Sequence, residues 1–325
     1  MIDITLLGTA ALMPLPDRAL TAALLSCGGH GILFDCGEGT QTAGRRARAN
    51  PLGVDVIALT HYHGDHTFGL PGLLQTMHAM GRQAPLLITG PAGLREAMAP
   101  ILALAGHTDF SVALEPMPEG GLDLPERFPG WPARTRLAAF PTAHRGPSQG
   151  YTFTLGREGR FDPDRARALG VPQGLWRRLQ AGETAEGTSG PVAPSEVVGP
   201  PRRGLKFVFS GDTRPCPALV EAARGADLMI CEATFADEGV AEAINRHGHT
   251  LFSQAGAMAA EAGVQRLWLA HFSQAVGDPA EHLPLARAHF PAAECGEDGK
   301  RITLRFDAGS AGGEDLPRAG TAGPR

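Results

Sequence analysis

The stretch Thr60-His61-Tyr62-His63-Gly64-Asp65-His66 begins on the last residue of VDVIALT (54–60), a compact apolar run that reads as a buried strand. Three histidines and an aspartate therefore crowd into one loop at a strand end. Imidazole and carboxylate suit zinc, and a tight loop lets such ligands converge. Protonated imidazoles repel one another, so the grouping is awkward without a cation between its members. The competing explanation is a polar loop whose histidines only hydrogen-bond.

A metal cluster needs more donors than this loop supplies, and the flanking sequence offers them at other strand ends. IDITLL (2–7) alternates, with Ile2, Ile4 and Leu6 on one face, and predicts a strand. AALLSC (22–27) and GILFDC (31–36) surround a Gly-rich turn and predict a hairpin. Further strands are predicted at 86–90, 110–115, 134–140 and 150–155, and helices near 38–49, 70–80 and 91–105. In the second half KFVFS (206–210) ends in Gly211-Asp212, DLMIC (227–231) in Glu232, and RLWLA (266–270) in His271. Helices are predicted beside them near 216–224, 252–262 and 279–289. Polar residues just past several strands are how an α/β protein assembles a site along one sheet edge. Hairpins mixed with βα units predict two mixed sheets with helices outside. His144, Asp212 and His271 are the best remaining donors, although a turn or N-cap role also fits Asp212 in SGDT.

Composition bounds the function. The 325 residues carry 29 Lys+Arg against 34 Asp+Glu, a net charge of −5. That excludes a surface coated in positive charge for nucleic acid, though not a local basic patch. Hydrophobic residues make up 43%, enough for a full core. Cys27, Cys36, Cys216, Cys231 and Cys295 are odd in number and include no CxxC pair. Reduced thiols are expected, rather than a disulfide framework or a sulfur-based zinc finger, with Cys36, Cys231 and Trp268 in the core. No basic start leads into an apolar run, and no stretch approaches the ~20 apolar residues of a membrane span. A cytoplasmic, soluble protein with no membrane contact is expected.

Residues 156–205 stand apart. Arg157, Arg160, Arg165, Arg167, Arg177 and Arg178 occur there with Glu158, Asp162 and Asp164, followed by the Gly/Pro/Ser-rich GETAEGTSGPVAPSEVVGPPRR (182–203). This predicts an insertion with a short helix and a flexible return. The Gly/Ala/Pro-rich residues 308–325 predict a disordered tail, leaving 1–307 as one domain. Arg45, Arg46 and Arg48 read as a solvated helix end.

The motifs carry a family resemblance. The chain resembles the metallo-β-lactamase fold, an α/β (α+β) four-layer αββα sandwich, and within it the ribonuclease Z family, which trims the 3′ end of precursor tRNA. LGTA (7–10), FDCGEGTQ (34–41) and THYHGDHTFGLPGLL (60–74) match in order with AHRGPSQGY (143–151), SGDTRP (210–215), EATF (232–235), GHT (248–250) and HFS (271–273). The likeness spans about residues 2–306, and the DCGEGTQ and GLPGLL pieces are the more specific ones.

The resemblance implies two zinc ions, with manganese or another divalent metal as substitutes. His61, His63 and His144 hold one, Asp65, His66 and His271 the other, and Asp212 bridges them. Two cations about 3.5–4 Å apart can share a hydroxide and clamp both oxygens of an in-line displacement. Asp65 is expected to orient the attacking water and take its proton, and His249, supported by Glu232, to protonate the leaving 3′-oxygen. Without the resemblance, His249 in HGHT reads as a turn residue. The insertion corresponds to an arm whose arginines grip tRNA phosphates away from the active site. On charge alone, a solvated mixed-charge helix face fits as well. The implied protein is a homodimeric zinc endoribonuclease that removes the 3′ trailer of precursor tRNA by metal-hydroxide attack, leaving a 3′-hydroxyl.

Departures fall at substrate-handling positions. Cys231 stands where the family usually has His, Leu175 follows Gly174 where Pro is usual, Ala275-Val276 replace Arg-Tyr, and Ala19 follows Arg18 in place of Asn. The alternatives are a hydrolase of small phosphodiesters or esters on the same fold, and a non-catalytic RNA-binding relative. The complete ligand set argues against the latter, since a binding module needs no bridging Asp212.

Overall fold

The computed structural model describes residues 1–306, so the tail expected at 308–325 lies outside the described residues. In chain order the strands are β1 (Ile2–Gly8), β2 (Ala22–Cys27), β3 (His30–Phe34), β4 (Val54–Ala58), β5 (Leu86–Thr89), β6 (Val112–Leu114), β7 (Leu122–Asp123), β8 (Thr135–Pro141), β9 (Gln149–Arg157), β10 (Ala185–Gly187), β11 (Gly190–Val192), β12 (Arg202–Phe209), β13 (Leu228–Glu232), β14 (Leu267–Ala270), β15 (Ala293–Cys295) and β16 (Arg301–Leu304). Among the described residues they form two seven-stranded sheets, β16-β1-β2-β3-β4-β5-β6 and β15-β14-β13-β12-β9-β8-β7, with β10-β11 apart. The first is antiparallel from β16 to β3 and parallel from β3 to β6. The second is parallel from β15 to β12 and antiparallel from there to β7. The two halves thus share an architecture without sharing a sequence repeat.

Continuous apolar strands arise here because alternate residues bury on opposite faces. Ile4, Leu6, Ile32 and Phe34 of the first sheet meet Tyr151, Phe153, Phe207 and Ile230 of the second. Their chain neighbours Leu7, Leu33 and Ile57 instead pack with residues of the helices Leu70–Ala79 and Leu94–Ala105. Val208, Met229 and Cys231 pack with residues of the helices Pro217–Ala223 and Phe252–Ala262. Helix, sheet, sheet and helix therefore stack as four layers, as expected. Cys36, Cys231 and Trp268 are buried.

The insertion differs from its expected form. It connects β9 to β12, which pair through Arg157 and Arg202, and so comprises 158–201. In place of a flexible return it holds two short helices, Pro163–Ala168 and Trp176–Gln180, and the hairpin β10-β11. Ala166, Val171, Leu179, Ala185, Val192 and Val197 form its own apolar cluster, with Phe161 and Trp176 packed against it. These apolar residues are spread thinly through a Gly/Pro/Ser-rich background, which is why composition suggested flexibility. Arg157 belongs to β9 rather than the arm, its guanidinium 5.0 Å from the Phe306 ring centre. Arg160, Arg165, Arg167, Arg177 and Arg178 are exposed. Arg167 pairs with Asp164, and Arg178 with Glu183 at 3.0 Å.

Candidate metal centre

The C-terminal ends of strands from both sheets converge on one edge. Asp35 follows β3, His61 lies three residues past β4, His144 past β8, Asp212 past β12, and His271 directly past β14. The loop after β4 continues into a one-turn helix, Gly64–Thr67, which carries Asp65 and His66. Gly37 makes this packing possible, because a Cβ there would lie 2.3 Å from the Asp65 carbonyl oxygen.

The candidate ligand atoms fall into three overlapping groups, one of which joins Asp212, His249 and His271. Those of His61, His63, His144 and Asp212 lie within 4.8 Å of one another, and so do those of Asp65, His66 and His271. Asp212 stands between the sets. Its Oδ2 is 3.7 Å from His61 Nε2 and 3.9 Å from His144 Nε2, whereas its Oδ1 is 3.4 Å from His66 Nε2 and 3.3 Å from His271 Nε2. One carboxylate oxygen thus addresses each set.

Outer hydrogen bonds dictate which ring nitrogen each histidine presents. His66 Nδ1 donates to Asp35 Oδ2 at 2.8 Å, and His144 Nδ1 to the Gly248 carbonyl at 2.9 Å. The Thr60 hydroxyl donates to Asp35 at 2.9 Å, so it accepts from His61 Nδ1 at 3.0 Å. Thr234 likewise donates to Glu232 at 2.5 Å and accepts from His271 Nδ1 at 2.8 Å. All four rings thus turn Nε2 toward the centre. His63 presents Nδ1, 2.9 Å from His61 Nε2 and 3.3 Å from His144 Nε2.

Ring nitrogens and carboxylate oxygens crowded this closely fit a divalent cation between them. Asp212 Oδ1 is buried and makes no hydrogen bond. Burial, together with the neighbouring imidazole of His66, holds His61 well below the usual histidine range, so it is neutral. Burial raises the Asp212 carboxyl, but His271 and His66 overcome this and hold it well below the usual range. Burial lowers His66 as well, but Asp212 and Asp35 outweigh it and hold His66 well above the usual histidine range, so it carries a proton that a divalent metal must displace to bind there. His271 (φ 59) and Asp35 (φ 55) both hold left-handed backbone, an arrangement that costs about 1–3 kcal/mol per residue and persists where the surroundings impose it.

His249 and Glu232 lie beside this centre. His249 Nδ1 is 3.3 Å from both Glu232 oxygens and 3.9 Å from Asp212 Oδ2. Burial lowers its pKa, but Glu232 outweighs burial and brings it to about 9, so the ring is protonated at neutral pH. Glu232 also accepts from the backbone N–H groups of Thr213 at 2.6 Å and Thr250 at 3.0 Å, which fixes its orientation. Asp35, Thr60 and Thr234 were not singled out from sequence. Asp35 was read as the continuation of a strand, and its polarity inside an apolar run was the signal available.

Family models for the metallo-beta-lactamase superfamily and a beta-lactamase superfamily domain match residues 21–80 and 184–272. A ribonuclease Z from Lachnoclostridium phytofermentans is 38% identical over 309 residues, covering 94% of this chain and 99% of the relative. This chain belongs to the ribonuclease Z family. A further ribonuclease Z, from Methanosarcina acetivorans, is 42% identical over 285 residues, covering 87% of this chain and 91% of its own. The crystal structure of human tRNase Z, short form, matches with a TM-score of 0.63 at 26% identity, covering 94% of this chain and all of that one. Membership in the ribonuclease Z family agrees with the fold and family implied by the motifs, and the His/Asp groups fit a divalent metal.

Proposed function

We propose that the chain is a metal-dependent hydrolase of the ribonuclease Z type, an endoribonuclease that removes the 3′ trailer of precursor tRNA. The observation that carries this reading is the divided ligand set centred on Asp212, in a chain that aligns along 94% of its length with a ribonuclease Z. Two zinc ions are the proposed complement, one held by His61, His63 and His144, the other by Asp65, His66 and His271, with Asp212 shared. When bound, such ions supply Lewis-acid charge and lower the pKa of water.

Asp65 orients the attacking water and accepts its proton. Burial raises its carboxyl, yet His271 and His66 keep it well below the usual range, so it is ionised. The Leu12 backbone N–H donates to Asp65 Oδ2 at 2.9 Å and fixes that oxygen. His249, held protonated by Glu232, donates to the 3′-oxygen as it leaves. Residues 158–201 grip the tRNA, with Arg160, Arg165 and Arg177, which pair with no acidic side chain among the described residues, as the phosphate contacts; Arg167, Arg178 and Arg157 contribute less directly. A homodimer in which each arm serves the other subunit's site, and a cytoplasmic location, complete the reading. Among the described residues no helix is long and apolar enough to cross a membrane.

The altered Leu175 and Ala275-Val276 positions favour one alternative, a hydrolase of small phosphodiesters on the same centre. The purified protein incubated with a precursor tRNA and, in parallel, with a chromogenic phosphodiester distinguishes the two. Cleavage of the precursor supports the tRNA reading; cleavage of the small ester alone supports the alternative.

A further inference from the structure

Among the described residues seven large hydrophobic side chains are exposed, and three of them lie on segments fastened to the candidate metal loop. Phe68 is 67% exposed, Leu12 61% and Met13 50%. Phe68 closes the helix Gly64–Thr67, its N–H donating to the Gly64 carbonyl at 2.9 Å. Its ring lies against Gly64 itself, where an added Cβ would come within 2.5 Å of the ring edge. Gly64 separates the candidate ligands His63 and Asp65, and His63 is the exposed member of the histidine loop. On the other side of Asp65, the backbone of Leu12 is held at φ 64 while its N–H bonds Asp65 Oδ2. Apolar surface is thus presented to solvent beside the most open part of a centre that is otherwise polar and buried.

A flat aromatic face beside a phosphodiester-cleaving centre matches what lies next to every phosphodiester in RNA, a nucleobase. Stacking tolerates any base because each presents a π-face, so such a contact holds the strand without restricting its sequence. We propose that Phe68 is a substrate-binding residue whose ring stacks on the nucleobase adjoining the scissile phosphate, with Leu12 and Met13 forming the apolar rim on the Asp65 side. The inference rests on the tRNA-cleaving reading above and adds to it a contact outside the metal ligands and outside the arm.

The test is a double-mutant cycle between protein and substrate. Phe68→Ala and Phe68→Tyr are compared with the unaltered protein on an intact precursor tRNA and on precursors carrying an abasic nucleotide on either side of the cut. Phe68→Ala should lower kcat/KM about 10- to 100-fold on the intact precursor, chiefly through KM, and Phe68→Tyr should restore it. On one abasic precursor the unaltered protein should fall to the level of Phe68→Ala, and the substitution should cost nothing more. An equal loss on the intact and both abasic precursors overturns the inference, as does no loss on any, or a loss traced to reduced metal content or a changed oligomeric state. If the unaltered protein cuts no precursor at all, the functional reading itself fails, and that result is visible before any variant is made.

Discussion

Asp35 accepts a hydrogen bond from His66 across 2.8 Å, and both side chains are completely buried. The same carboxylate takes the Thr60 backbone N–H at 2.7 Å and its hydroxyl at 2.9 Å, and Thr60 in turn orients His61. One residue thus sets the tautomer of a histidine in each ligand set. Asp35→Asn places an amide N–H against at least one of these donors. The substitution should weaken metal retention about 10- to 100-fold, measured by competition with a chromophoric chelator. Retention equal to that of the unaltered protein would show that the tautomers are set elsewhere.

Asp212→Ala removes the group that addresses both ligand sets. Elemental analysis of the unaltered protein should give two divalent metals per chain, and the variant should hold fewer. Catalysis should fall by orders of magnitude while the far-UV circular dichroism stays native, since the apolar core between the sheets does not include Asp212. Chelation of the unaltered protein should lower its Tm, because a ligand bound only by the folded state stabilises it. A chelated protein with unchanged Tm and no metal uptake would rule out a metal centre.

The His249-Glu232 pair makes a leaving-group prediction. His249→Ala should slow cleavage of RNA about 100-fold or more, because an alkoxide leaves poorly without a proton. A nitrophenyl phosphodiester, whose leaving group needs none, should lose much less. Glu232→Gln removes the negative charge that raises His249 to about 9, so the alkaline limb of the RNA cleavage profile should move to lower pH. Equal losses on both substrates, with metal content unchanged, would remove His249 from proton transfer.

The arm can be excised at its natural junction. Arg157 and Arg202 are partners across β9 and β12, so a short Gly/Ser linker replacing 159–200 leaves the sheet intact. Cleavage of a small phosphodiester should be nearly unchanged, whereas kcat/KM for precursor tRNA should drop steeply. The gap should narrow at high salt, where phosphate contacts are already weakened. A deletion variant that cuts tRNA normally would deny the arm any role in binding.

Much of the fold was legible because its strands carry regular signals. Ile2, Ile4 and Leu6 alternate, and the helix at Phe252–Ala262 has the expected bounds. The candidate metal donors stand out in the sequence because they crowd into a dense loop or follow strand ends. Asp35 escaped because strand periodicity continues through it, and only its φ of 55 reveals that the chain turns there. Thr234 escaped because a hydroxyl's role depends on which groups fold back onto it, here Glu232 and His271 from different strand ends. The arm's apolar cluster is not legible in the sequence because it needs only a few residues, and Val171, Leu179 and Val192 are too far apart to form a periodic pattern.

The central claim is that water, activated at the metal centre, attacks the phosphodiester and releases the 3′-oxygen of the tRNA. The most direct measurement is the chemistry of the two new ends after cleavage of a precursor tRNA, read by mass spectrometry with and without chelator. The account predicts a mature tRNA ending in a 3′-hydroxyl and a trailer beginning with a 5′-phosphate, both absent when metal is removed. A 2′,3′-cyclic phosphate on the tRNA, or the same cut in the presence of chelator, would contradict it.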